Sequence, residues 1–96
     1  KYADWCDPVH WMMTLTLDDK YDRDTFLDYM KNDGIDCRQM INPVHHAEHF
    51  NAQSREDVFF NSVNISKQSV HLPSGLGLTE KEISTISNTI KDYLIL

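Results

Sequence analysis

The sequence predicts an α+β domain: a small three-stranded sheet covered by helices, in the order β-α-β-α-β-α. Three observations predict it. Apolar side chains alternate with a period of two over residues 11–17, as a half-buried strand requires, whereas the last eighteen residues repeat their apolar positions at helical spacing behind a capping signature. The 96 residues, 41% of them hydrophobic, suffice for one core and not for two. A sheet with its helices on one face is the layer arrangement that buries such stripes. Whether neighbouring strands run parallel is not decided by the pattern.

Taken in order, residues 1–8 form an irregular lead-in, in which Trp5 is expected to cover some part of the domain. Trp11, Met13, Leu15 and Leu17 alternate with Met12, Thr14 and Thr16, giving the first strand. Asp22 then caps a helix over residues 23–33, with Tyr21 and Phe26 at staple spacing and Phe26, Leu27 and Met30 facing inward. Gly34 supplies the left-handed residue that ends this helix, and Ile35 folds back on its last turn. Residues 36–41 alternate Cys37, Gln39 and Ile41 against Asp36, Arg38 and Met40, a second strand with two mixed faces, one of them expected to meet a ligand or another domain. Pro43 ends it, with Asn42 in a position to cap a helical turn or loop running to Glu48. Ser54 and Asp57 resemble a further helix start, whose apolar side is Phe59, Phe60 and Val63 and whose end falls at Asn64 or Ser66. Residues 69–72 make the third strand. After the turn at Pro73-Ser74-Gly75 and Gly77, Thr79 and Glu82 form a capping box, with Leu78 stapled to Ile83 and with Ile83, Ile86, Ile90 and Leu94 on the core side.

Residues 1–96 therefore form a single domain, and the start at Lys1 suggests a piece of a longer chain. A net charge of -6 speaks against a phosphate-tracking nucleic-acid surface. No apolar run approaches the roughly 20 residues needed to span a bilayer, so a cytoplasmic location without membrane association is expected. Cys6 and Cys37 form no CxxC pair, and two reduced thiols are the expectation.

The chemistry-bearing residues gather between Gly34 and Phe50. His45, His46 and His49 with Glu48 invite a metal reading, yet the zinc-protease pattern needs glutamate directly after the first histidine, where His46 stands. No metal site is assigned. Cys37 beside Arg38 lacks a histidine and carboxylate at nucleophile spacing and reads as a packing residue. Ser74-Gly75-Leu76-Gly77 matches neither phosphate-loop pattern and reads as a turn.

Several of these elements, in order, resemble the C-terminal portion of the pyridoxal-phosphate-dependent nucleotide-sugar aminotransferases of the DegT/DnrJ type, a family that includes perosamine synthases. His10-Trp11-Met12-Met13 is similar to the family's Trp-containing strand. Gly34-Ile35-Asp36-Cys37-Arg38 is similar to its Gly-Ile-x-x-Arg-Pro element, and Asn42-Pro43-Val44-His45 to its Tyr-Pro-Leu-His. Val70-His71-Leu72-Pro73-Ser74-Gly75 and Leu78-Thr79-Glu80-Lys81-Glu82-Ile83 resemble the family's ending. The likeness spans about residues 9–94. Gln39 stands where the family has Pro and Asn42 where Tyr is frequent, departures that touch the substrate more than the fold.

The resemblance implies the small C-terminal domain of a fold type I enzyme. The full-length parent would be a homodimer that moves an amino group from glutamate to a keto-sugar nucleotide on pyridoxal phosphate. None of the six lysines stands in the family's catalytic context, so no catalytic or cofactor-binding residue is assigned and the segment alone is expected to be inactive and to bind no cofactor. Its implied part is to close over the active site, with Arg38, Asn42 and His45 contacting substrate. The planar fork of Arg38 suits a diphosphate or carboxylate, and His45 can donate to a sugar hydroxyl or phosphate. Arg38 can equally be a strand-end ion pair with Asp36 or Glu48. The competing reading of the whole chain is a free-standing interaction or regulatory module of ferredoxin-like shape.

Overall fold

Three short antiparallel strands, Met13–Thr16 (β1), Arg38–Gln39 (β2) and Ser69–Leu72 (β3), pair in the order β1-β3-β2 in a computed structural model that describes residues 3–53 and 58–95. Helices Arg23–Asn32 (α1), Phe60–Gln68 (α2) and Glu80–Leu94 (α3) complete the α+β domain, with two 3-10 turns, Val44–His46 and Glu48–Gln53, between β2 and α2. The helix start expected at Ser54 and Asp57 lies outside the described residues.

Register sorts the side chains onto two faces, since residues opposite each other in a sheet share a face. Leu15 pairs with Val70, and both belong with Leu17, Phe26, Met30 and Ile35 to one core under α1 and α3. Thr14, His71 and Arg38 make a polar row on the other face. That row is stitched by Thr14 Oγ1 to His71 Nδ1 at 3.1 Å, and its neighbour by Thr16 Oγ1 to Ser69 Oγ at 2.9 Å. Val63 of α2 is buried outside the main core cluster, so the helices do not all serve the one sheet face expected of them.

Local chemistry sets the helix ends. Asp22 accepts from the Thr25 backbone N–H and hydroxyl, both at 2.7 Å, and α1 closes with a Schellman pair, Ile35 N–H to Met30 O at 2.9 Å and Gly34 N–H to Lys31 O at 3.0 Å. Gly34 takes φ 76°, which a Cβ would resist. The capping box of α3 is complete: Glu82 accepts from Thr79 N–H at 2.7 Å, and Glu82 N–H donates to Thr79 Oγ1 at 3.3 Å. Tyr93 then anchors α3 on α1, its ring 5.1 Å from Phe26 and 5.0 Å from Tyr29, while Tyr21 donates its hydroxyl to Leu94 O at 2.9 Å.

Both caps carry a carboxylate whose hydrogen bonds hold it below the ordinary range, Asp22 through the Thr25 side chain and backbone, Glu82 through the Thr79 backbone and side chain. A depressed carboxylate contributes stability that is present above its unfolded pKa and is lost as pH falls through the folded value. Thr79→Ala is expected to cost about 1 kcal/mol at neutral pH, and Asp22→Ala is expected to destabilise the domain in the same direction. In denaturant titrations the Asp22→Ala deficit is expected to shrink in acid, where wild type loses the same charge.

Several expected boundaries move for tertiary reasons. The first strand shrinks from residues 11–17 to Met13–Thr16 because β3 offers four partners, and Trp11 is left 73% exposed. Trp5 covers nothing and is exposed too. The second strand keeps only Arg38 and Gln39, which pair with His71 and Val70, while Met40 N–H adds one bond to Ser69 O at 3.0 Å. Asn42 caps nothing, since the first 3-10 turn has Pro43 at its cap and no side-chain cap bond. Helix α2 runs past Asn64 and Ser66 to Gln68, because the Ser66 hydroxyl donates to Ile41 O at 3.1 Å and the Ser66 carbonyl accepts from Arg23 at 3.1 Å. Phe60 and Ile83 are exposed rather than core, whereas Ile86, Ile90 and Leu94 pack inward as expected. Among the described residues no helix is long and apolar enough to cross a membrane.

Candidate functional site

Where β2 runs out, Pro43 turns the chain into the Val44–His46 turn and sets His45 beside a cleft of about 690 Å³. Its walls are mainly apolar, from Met40, Ile41 and Val44 on one side and Phe59 and Ile65 on the other, with Asn42, His45 and Ser62 as polar groups. A concave, mostly apolar hollow with a few polar atoms is the usual form of a small-molecule site. His45 is held by its neighbours: the ring stacks on Phe59 at 4.7 Å between centroids and meets His46 edge-on at 4.5 Å. Its Nε2 is buried without a hydrogen-bond partner.

The three expected substrate contacts do not all converge. Asn42 and His45 share the cleft. Arg38 is absent from its lining and lies on the polar sheet face opposite His71, its side chain 76% exposed and paired with Asp36 at 3.2 Å. Of the two readings of Arg38, the ion pair with Asp36 is the one the structure contains, and its exposed setting makes it a weak one.

His45 and His49 fail to form a helical i, i+4 pair, because Ala47 adopts an extended conformation between the two 3-10 turns. His49 instead packs its ring 4.3 Å from Phe50. Among the described residues no three His, Cys, Asp or Glu side chains gather to hold a metal ion.

Pyridoxal phosphate does not fit the cleft. A resident cofactor of that type needs an amine for its aldehyde and donors for its phosphate, and no Lys or Arg lines this cleft among the described residues. Lys31 does line a smaller hollow, but Asp28 and Asp36 line it too and disfavour an anion. No chemical step is assigned through the cofactor here.

Cys37, in that second hollow, has its thiol pushed up to about 11 by burial and then by the Asp36 charge. Such a thiol holds little thiolate at neutral pH. Cys6 is exposed. A disulfide thiol reagent at mildly alkaline pH is expected to titrate Cys6 quickly and Cys37 slowly, with equal rates in denaturant; a fast second equivalent in the native protein would contradict that burial.

Two residues of the site were missed in the sequence. Phe59 read as a core residue of α2, and nothing local marks it as the platform for His45. His71 sits in the expected third strand, yet only register shows that it lies between Thr14 and Arg38 and is almost fully buried.

The model of the DegT/DnrJ/EryC1/StrS aminotransferase family matches residues 3–91. A GDP-perosamine synthase from Vibrio cholerae is 27% identical over 86 residues, a stretch that covers 88% of this chain and 23% of that relative. The chain therefore spans less than a quarter of the length of the curated protein it matches.

Proposed function

Because the chain belongs to the DegT/DnrJ/EryC1/StrS aminotransferase family, we propose that it serves as the small C-terminal domain of a pyridoxal-phosphate-dependent enzyme that aminates a keto-sugar nucleotide, with glutamate as donor. The family match along residues 3–91 carries this reading. The character of the cleft supports the division of labour within it.

In this reading the domain binds substrate and the remainder of the polypeptide, as a homodimer, holds the cofactor and the catalytic lysine. The apolar walls of the cleft suit the carbon faces of a deoxysugar, while the Asn42 amide and the His45 imidazole at its edge suit its hydroxyl groups. Arg38, outside the cleft and exposed, suits the diphosphate, for which a planar fork of donors is the appropriate recognition group. The likeness to a GDP-perosamine synthase makes GDP-linked sugars the first substrates to try.

The test compares the full-length chain with the 96-residue segment. The full-length protein is expected to show the visible absorbance of bound pyridoxal phosphate and to release 2-oxoglutarate from glutamate beyond one equivalent per active site only when a keto-sugar nucleotide is present; the segment is expected to do neither. Stoichiometric cofactor binding by the segment, or a full-length protein indifferent to every keto-sugar nucleotide offered, would overturn the proposal.

A further inference from the structure

The polar face of the sheet holds a histidine whose bonding is half complete. His71 lies on the central strand and is 7% exposed. Its Nδ1 is fixed by Thr14 Oγ1 at 3.1 Å on β1, while its Nε2 is buried and has no hydrogen-bond partner. The two nitrogens leave an imidazole from opposite sides, so an Nδ1 turned to β1 turns Nε2 away from that strand. The residue paired with His71 across the other ladder is Arg38. Directly opposed side chains in an antiparallel sheet start about 5 Å apart at Cβ, well within the reach of an arginine.

Arg38 has its own incomplete bonding. Of its five N–H donors, the bond to Asp36 occupies one, at 3.2 Å between two exposed side chains. An exposed pair of that kind exchanges readily. Asp36, two residues earlier in the chain and ahead of β2, and His71, directly across, therefore stand as two alternative acceptors for one guanidinium.

We propose that His71 is a positioning residue for Arg38: its Nε2 accepts an N–H of the guanidinium when a phosphate or carboxylate engages the opposite edge of the fork. The Thr14 hydroxyl is able to accept the Nδ1 proton, the tautomer that leaves Nε2 as a lone-pair acceptor. Gripped from the sheet, Arg38 presents a fixed planar edge outward instead of a mobile charge, and less side-chain freedom is lost on binding. This inference rests on the reading of Arg38 as the diphosphate ligand.

The experiment measures kcat and KM for the sugar nucleotide, together with the melting temperature, in the full-length chain. His71→Phe is expected to raise KM about tenfold with kcat little changed, the size of one lost charge-assisted hydrogen bond. His71→Gln, whose amide oxygen can reach the place of Nε2, is expected to restore KM, and Thr14→Val to raise it. In an Arg38→Ala background, His71→Phe is expected to add nothing further. Additive KM effects of the two substitutions, or a Gln variant as impaired as the Phe variant at equal melting temperature, overturn the proposal while leaving Arg38 as a ligand. An Arg38→Ala protein with wild-type KM overturns both readings together.

Discussion

Replacing Phe26 by Ala is expected to destabilise the domain by about 3–5 kcal/mol, the range for truncating a fully buried aromatic residue. Phe26 has no exposed surface and stands where the two halves of the core meet, between Met30 and Ile35 on the α1 side and the edge of the Tyr93 ring on α3. A domain of this size has a total stability of about 5–15 kcal/mol, so the loss is a large share of the whole. Chemical denaturation reads it as a fall in the midpoint with an unchanged slope. Leu76→Ala is the matched control: Leu76 is fully exposed in the turn before α3, and its truncation is expected to change stability by less than about 0.5 kcal/mol. Equal effects at the two positions would contradict the assignment of the core.

The second large effect is expected at Arg38, in catalysis instead of folding. Arg38→Ala in the full-length chain is expected to raise KM for the sugar nucleotide between about 10- and 100-fold, as loss of a bidentate charged contact does. Stability should hardly move, because the side-chain bond lost among the described residues is an exposed ion pair with Asp36. Arg38→Lys should recover only part of the affinity, since an ammonium keeps the charge and loses the fork. A steady-state comparison of the three proteins decides between the ligand and the ion-pair readings of Arg38: an unchanged KM in Arg38→Ala leaves the ion pair alone.

Much of this fold was legible because its signals are local. The Asp22 cap, the left-handed Gly34 with Ile35 folding back, the third strand at Ser69–Leu72 and the Thr79–Glu82 box each depend on residues within a few positions of one another, and each is in place. What pattern misjudged depends on distant partners. The length of β1 is set by the four residues of β3, the end of α2 by bonds from Ser66 to Ile41 and Arg23, and the exposure of Trp5, Trp11 and Ile83 by where the sheet and its helices stop. Antiparallel pairing on both sides of β3 was likewise open until the register was seen.

The site divides along the same line. Asn42 and His45 are three residues apart with Pro43 between them, so their neighbourhood could be read directly. Phe59 reaches His45 from another element, and His71 is paired with Arg38 across a ladder, which no spacing along the chain reports. The resemblance to sugar-nucleotide aminotransferases, carried by ordered short elements, agrees with the family match. It could not say that Arg38 would stand apart from the cleft that Asn42 and His45 line.

The central claim is that this domain binds substrate while the cofactor is held elsewhere, and His45 tests it most directly. A calorimetric titration of the keto-sugar nucleotide into the full-length protein, wild type against His45→Ala, is expected to show about tenfold weaker binding, the loss of one hydrogen bond and its stacked ring, with the visible absorbance of the cofactor unchanged. Undiminished sugar-nucleotide affinity, or loss of the cofactor absorbance in its place, would contradict it.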